Sequence, residues 1–113
     1  IAEGFIPRTS HGPKPEMVSH ETLCVLNATD KDSVVRITIY FDDRDPVGPY
    51  IIKVPAQRTN HVRLNDLVDP EPLDPGKNFA CIVDSEQPVV VQHTRLDSRQ
   101  SENALMTTIA YGE

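Results

Sequence analysis

The sequence predicts an all-β protein, an antiparallel, jelly-roll-like β-sandwich of seven or eight short strands. Ten prolines, against five glycines, are spread along its 113 residues. Proline interrupts helices and central strands, so long helices have little room. Apolar side chains also alternate with polar ones over short segments, and turn signals return about every ten residues, a spacing typical of sandwiches.

The alternation defines each predicted strand and its two faces. The clearest strand covers residues 34–41, where Val35, Ile37 and Ile39 form an apolar face. In the strand at 18–27, Glu21, Leu23, Val25 and Asn27 share one face, and His20, Thr22, Cys24 and Leu26 share the other. The remaining strands are predicted at residues 2–6, 50–54, 59–64, 79–83, 88–95 and 105–111. A single helical turn is predicted at 98–104, with Asp97 as its cap.

Length and charge limit the classes of protein that this chain fits. A chain of 113 residues is expected to form one domain, residues 1–113. The formal net charge is −6 and the pI about 5.1, which argues against nucleic-acid binding driven by overall charge. A local basic patch is still compatible, because four of seven arginines lie in two segments, at Arg58 and Arg63 and at Arg95 and Arg99. No apolar run approaches transmembrane length, so we expect no membrane insertion.

Metal binding and catalysis find little support in the residue spacing. Cys24 and Cys81 lie in apolar strands without Cys/His ligand spacing, so free buried thiols in a reducing, cytoplasmic compartment are expected. The histidines are isolated, and no cofactor motif is present. His93, Asp97 and Ser98 are close in sequence, but nearness in sequence is not triad geometry. The chain begins at Ile1 rather than methionine, so we expect preceding residues to have been removed, a signal peptide being one alternative.

The segment 92–103 is the most polar part of the chain and follows directly on an apolar strand. Along that strand Val89, Val91, His93 and Arg95 share a face that turns from apolar to charged. His61 and Arg63 share a face in the strand at 59–64. If the two strands pair or face each other, these four side chains converge, and His20 with Glu21 joins from a third strand. Arginine offers a planar fork of donors, so such a cluster suits an anion or a polar sugar edge.

Two other roles stay open for these charged residues. Arginines near carboxylates often form surface ion pairs, which contribute roughly 0–1 kcal/mol and imply no function. They are also enriched at subunit interfaces, where charges are satisfied across the contact. The predicted ligand- or partner-binding residues are His20, Glu21, His61, Arg63, His93, Arg95, Asp97 and Arg99. The predicted oligomer-interface residues are Arg95, Asp97, Arg99 and Asn103.

Several stretches resemble the sensory rhodopsin transducer family, and together they span nearly the whole chain. They are Glu3-Gly4-Phe5-Ile6-Pro7, Ser19-His20-Glu21-Thr22, Asp45-Pro46-Val47-Gly48-Pro49-Tyr50, His61-Val62-Arg63-Leu64-Asn65-Asp66-Leu67 and Gln92-His93-Thr94-Arg95-Leu96-Asp97-Ser98-Arg99-Gln100. The resemblance implies a small β-sandwich that forms a homotetramer, is cytoplasmic and is not an enzyme. It implies, as partner, the cytoplasmic side of a photoreceptor. A role in transcription through DNA contact is implied for the transducer members of the family, and the binding of sugars or other small molecules for relatives that occur without a rhodopsin.

Three functions follow as hypotheses. The first is a signalling or ligand-sensing module that binds a partner protein or a small polar ligand, a sugar or an organic anion, as a homotetramer. The second is a DNA-contacting transcriptional regulator. Although the net charge is unfavourable, a tetramer carries four copies of a small basic patch, so its phosphate contacts add up across subunits. The third is an enzyme of carbohydrate metabolism, which requires a metal or an acid/base pair in a cleft.

Overall fold

Two antiparallel four-stranded sheets form the fold, which confirms the predicted β-sandwich. The computed structural model describes residues 1, 3–10, 19–97, 99 and 104–112, and for 104–106 the backbone only. Its strands are β1 Gly4–Phe5, β2 His20–Asn27, β3 Ser33–Phe41, β4 Val47–Val54, β5 Arg58–Arg63, β6 Asn78–Ser85, β7 Val90–Asp97 and β8 Ala104–Ile109, with a 3₁₀ turn at Leu64–Asp66. Sheet I has the order β1-β6-β3-β4, and sheet II the order β5-β2-β7-β8.

The core lies between the middle strands of the two sheets. Leu23 and Val25 of β2 face Val35, Ile37 and Ile39 of β3, and all five side chains are fully buried. These are the residues that the alternation assigned to one face of each strand, because successive side chains of a strand point to opposite sides of the sheet. The same alternation carries two polar residues, Glu21 and Asn27, into the interior at the two ends of β2.

The predicted strands differ from the observed ones mainly at their ends. Strand β4 begins at Val47 rather than at residue 50 and therefore contains Pro49. Proline is tolerated there because β4 is an edge strand, and the register shifts at this point of the β3–β4 ladder. The predicted helical turn at 98–104 falls largely outside the described residues. Its last residue, Ala104, begins β8.

The strand order decides which predicted site residues can meet. Strands β5 and β7 do not pair with each other, because β2 lies between them. Arg63 is opposite Thr22 on β2, and Arg95 is opposite the adjacent Glu21. Adjacent residues of a strand point to opposite faces, so Arg63 faces outward and Arg95 faces the interior. The expected convergence of His61 and Arg63 with the β7 side chains was therefore wrong.

Candidate functional site

Glu21 is the centre of a charged cluster between the two sheets. Its side chain is completely buried, and its Oε1 contacts Nε2 of His93, which is itself only 5% exposed. Its Oε2 accepts a hydrogen bond from the backbone N–H of Phe5 in β1. A buried carboxylate is costly unless its oxygens are hydrogen-bonded, and here both have partners. Glu21 therefore joins β7 of sheet II to the N-terminal strand of sheet I.

Arg95 adds a cation beside this carboxylate. Its Nη2 lies 2.6 Å from Oε1 of Glu3 and 3.7 Å from Oε2 of Glu21. The arginine side chain is 17% exposed, whereas that of Glu3 is 67% exposed. Arg95 Nε is buried and has no hydrogen-bond partner among the described residues. The guanidinium thus has donor capacity that its two carboxylate neighbours leave unused.

The start of β2 is held in place by a neutral hydrogen-bond network. The side-chain Oδ1 of Asn65 accepts the backbone N–H of Glu21 at 3.3 Å, and its Nδ2 donates to the carbonyl of Ser19 at 3.0 Å. Ser19 in turn donates its backbone N–H to Oγ of Ser10 at 2.8 Å. Because Asn65 lies in the 3₁₀ turn after β5, this network attaches the end of β5 to β2 and fixes the backbone that carries Glu21.

A cleft of about 1230 Å³ opens beside the cluster, between β6 of sheet I and the β7–β8 pair of sheet II. We call it the inter-sheet cleft. Its charged end is formed by Glu3, His93 and Arg95. Its walls are mainly apolar and include Cys81, Val83, Val89, Val91, Thr108 and Ile109. A concave, largely apolar surface with a few convergent polar groups is the usual form of a small-molecule site.

A second group of predicted residues lies on the outer face of sheet II. Arg63 Nη2 donates to Nδ1 of His20 across a distance of 2.8 Å. His61 is exposed and lies opposite Cys24 on the same face. Thr94 and Thr107 continue this face across β7 and β8, with their hydroxyl oxygens 3.0 Å apart. The outer face therefore combines these polar groups with the exposed apolar side chains of Leu26 and Val90, and it is separated from the inter-sheet cleft by the thickness of the sheet.

Asp97 and Arg99 form a local ion pair at the end of β7. Arg99 Nη2 lies 2.6 Å from Oδ2 of Asp97, and its Nε lies 3.0 Å from Oδ1. The side-chain hydrogen bond from Arg99 lowers the pKa of Asp97, and the same bond raises the pKa of Arg99. The Arg99 guanidinium also lies 6.0 Å from the ring centroid of Phe5. Asn103, the fourth predicted interface residue, lies outside the described residues.

Most of the net charge is concentrated at one end of the sandwich. The β3–β4 connection, residues 42–46, carries three carboxylates and one arginine, and the segment 64–77 carries four carboxylates and one lysine. Seven negative and two positive charges give −5, compared with −6 for the whole chain. Ion pairs between Arg44 and Glu71 and between Lys77 and Asp43 hold the two segments together. We call this end the acidic end.

The described residues contain neither a metal-binding cluster nor a membrane-spanning helix. No group of three or more His, Cys, Asp or Glu residues in this part of the chain is arranged to hold a metal ion. None of the helices described is long and apolar enough to cross a membrane. Both cysteines are free thiols, with Cys81 buried and Cys24 half-buried on the outer face of sheet II.

Comparisons with known proteins place the chain in a family. Residues 1–112 match the family model described as Anabaena sensory rhodopsin transducer. This chain belongs to the sensory rhodopsin transducer family. Among solved structures it is similar to the Anabaena sensory rhodopsin transducer, with 58% identity and a TM-score of 0.77 over 89% of this chain and 88% of that one. The family that the sequence motifs predicted is thereby confirmed.

A second solved structure is similar to the chain at lower sequence identity. A crystal structure of Thermotoga maritima 1070 is 36% identical to this transducer-family chain, with a TM-score of 0.84 over 99% of this chain and 90% of that one. No curated protein matches the chain significantly. Because this match covers almost the full length of the chain, the two proteins share the fold although most of their residues differ.

Sequence reasoning missed two residues of the cluster. Glu3 pairs with Arg95 across 92 positions of sequence, and no local pattern indicates such a contact. Asn65 lies in a loop-like segment, where asparagine commonly serves a turn. Both residues lie within the family-like stretches, but the resemblance assigned them no role.

Proposed function

We propose that this protein is a cytoplasmic, non-enzymatic signalling module that acts as a homotetramer and binds a partner protein, with a small polar ligand as a second input. The partner that its family suggests first is the cytoplasmic face of a rhodopsin, because the similar solved structure is named a sensory rhodopsin transducer. The ligand half of the proposal rests on the inter-sheet cleft, and a sugar or an organic anion fits its mixture of apolar walls and charged groups.

The acidic end is the observation that best supports a receptor partner. Cytoplasmic loops of membrane proteins carry an excess of lysine and arginine. The acidic end carries −5 of the chain's −6 formal charges, so it is complementary to such loops. Electrostatic complementarity of this kind accelerates association and orients the partners. In a tetramer, four copies of the acidic end act together and increase the effect.

The eight predicted recognition residues divide between three roles in this proposal. On the outer face of sheet II, His20, His61 and Arg63 make a second contact with the partner protein, in addition to that of the acidic end. In the inter-sheet cleft, His93 and Arg95 orient the ligand, and the buried Glu21 holds His93 in position. Asp97 and Arg99, together with Asn103 and Arg95, belong to the interface between subunits.

Binding of a purified rhodopsin in lipid nanodiscs, measured by calorimetry at low and high salt, tests the receptor role. Asp45 is exposed at the acidic end, and Asp30 is exposed in the β2–β3 turn at the opposite end. Asp45→Lys is expected to weaken binding several-fold at low salt and much less at high salt. Asp30→Lys changes the net charge equally and is expected to leave binding unchanged. Equal effects of the two variants, or no binding at all, would refute the receptor role.

Sedimentation equilibrium tests the proposed tetramer. Four chains of 12.6 kDa give a mass of about 50 kDa. A single species of that mass at micromolar concentration is the expected result. A monomer or dimer of the native chain would contradict it, whether or not the receptor binds.

A further inference from the structure

The sandwich is open along one side, where sheet II extends beyond the described part of sheet I. The edge of sheet I there is formed by β1, which has only two residues, and by the second half of β6. On the inner face of sheet II, Thr108 is opposite His93 and yet is exposed. Val83 and Val91 belong to the inward-facing set but are only partly buried. The inter-sheet cleft is thus a part of the interior that the described residues leave uncovered.

The cation at the charged end of this cleft is incompletely used. A carboxylate that binds arginine well accepts two parallel hydrogen bonds from the guanidinium fork. Glu3 contacts Arg95 through Nη2 at 2.6 Å, the same nitrogen that lies 3.7 Å from Glu21. Arg95 Nε has no partner among the described residues. A buried donor without an acceptor is unfavourable, so a ligand that engages the fork fully has an energetic advantage.

Glu3 occupies the position that the carboxylate of a ligand would take. Its side chain is 67% exposed, so it loses little by returning to water, whereas Glu21 is fully buried and held by His93 and Phe5. Exchange of the Glu3 carboxylate for that of a monoanionic ligand leaves the charge around Arg95 unchanged. A dianion such as phosphate adds negative charge next to the buried Glu21, which is unfavourable in a poorly solvated site.

We propose that the inter-sheet cleft binds a small carboxylate with an apolar body, whose carboxylate displaces Glu3 from Arg95. The apolar body packs against Val83, Val89 and Val91, which line the same cleft. Burial of that surface favours binding by about 25 cal/mol per Å². The proposal rests on the ligand-sensing half of the proposed function and specifies its ligand class; the receptor half is independent of it.

Titration of the native chain with hexanoate, hexanamide, acetate and glucose, followed by calorimetry and by amide NMR shifts, tests the ligand class. Hexanoate is expected to bind at least tenfold more tightly than hexanamide, which lacks the charge, and than acetate, which lacks the apolar body. The shifts are expected at Val83, Val91 and Arg95. Equal binding of hexanoate and hexanamide, or no binding of hexanoate, overturns the proposal.

Two variants with opposite expected effects test the displacement of Glu3. Glu3→Gln removes the competing carboxylate and is expected to tighten hexanoate binding about threefold to tenfold, while Arg95→Met is expected to weaken it at least tenfold. Asp30→Asn makes the same charge change at the exposed β2–β3 turn, none of whose residues lines the cleft, and is the matched control. Because Glu3 is exposed, its variant tests the idea even if Arg95→Met does not fold. Unchanged or weaker binding by Glu3→Gln refutes the displacement.

The outcomes separate this proposal from the proposed function. Binding of glucose at the cleft without binding of hexanoate keeps the ligand-sensing role and rejects the carboxylate class. If none of the four ligands binds, the carboxylate site is rejected. The nanodisc experiment then still tests the receptor role.

Discussion

The two halves of the sandwich contrast in how completely their inner faces are covered. Where β2 faces β3, Leu23, Val25, Ile37 and Ile39 are all fully buried. Where β7 and β8 extend past β6, Val91 is partly buried and Thr108 is exposed, although both face inward. The closed half has the packing of a core, whereas the open half has the apolar walls and charged groups of a binding surface.

The difference indicates how a chain of this size combines stability with recognition. A small domain buries a limited fraction of its surface, so its stability depends on a few well-packed side chains. Because these side chains are concentrated around β2 and β3, the half of the sandwich between β6 and the β7–β8 pair is available for binding. The buried cluster of Glu21, His93 and Arg95 lies at the boundary between the two halves and is where the contrast can be tested most directly.

The largest expected effect is in the closed half. Ile37→Ala removes a fully buried side chain from the middle of β3 and is expected to lower the free energy of unfolding by about 4 kcal/mol, through lost transfer energy and a cavity. Val91→Ala in the open half is the comparison and should cost about 1 kcal/mol, because its side chain is only partly buried and loses two carbons rather than three. Urea denaturation measures both. Similar costs would remove the distinction between the halves.

The next effect lies at the boundary. Glu21→Gln replaces a buried carboxylate with an amide that cannot accept hydrogen bonds from both His93 and Phe5, and it leaves Arg95 without its buried counter-charge. We expect a loss of about 3 kcal/mol in the free energy of unfolding. Glu3→Gln, at an exposed position on the same arginine, should cost less than about 1 kcal/mol. Equal midpoints in urea for the two variants would show that burial does not distinguish these carboxylates.

The two thiols should differ in reactivity. Burial raises the pKa of Cys81 to about 11, so only about one thiol in a thousand is ionised at pH 8. Cys24 is half-buried on the outer face of sheet II. Mass spectrometry after brief treatment of the folded protein with iodoacetamide should find the label at Cys24 well before Cys81. Faster labelling of Cys81 would mean that its side of the core opens readily.

The smallest expected effect concerns the pair of Asp97 and Arg99. Arg99 lowers the pKa of Asp97 in the folded state, so the pair stabilises the fold above about pH 4, the pKa of an unfolded aspartate. This contribution is lost as the pH falls through the lowered pKa. Asp97→Asn should therefore shift the urea midpoint slightly at pH 7 and have no effect at the acidic limit. A shift that persists in acid would point to a contact other than the ion pair.

Much of the fold could be predicted because the decisive signals are local. The side chains of a strand alternate between faces with a period of two, so the pattern in β2 was enough to put Glu21 on the same face as Leu23 and Val25, although only the packing of the two sheets decided that this face is the inner one. Strand ends were less accurate. Whether Pro49 interrupts a strand depends on its being at a sheet edge, and edges are defined by the neighbouring strands.

The alternation along the chain established the strands and which residues share a face, Glu21 with Leu23 and Arg95 with His93, since these depend on residues one or two positions apart. The pairing of β5 and β7 with β2 placed Arg63 and Arg95 on opposite faces of sheet II. Glu3 lies 92 positions from Arg95 in the sequence, and only the tertiary structure brings it to the Arg95 guanidinium. Pairing between distant strands reflects the packing of the whole chain, and nothing in a local pattern specifies it. The side of the sandwich that the described residues leave uncovered, and with it the cleft, likewise results from the packing of the whole chain.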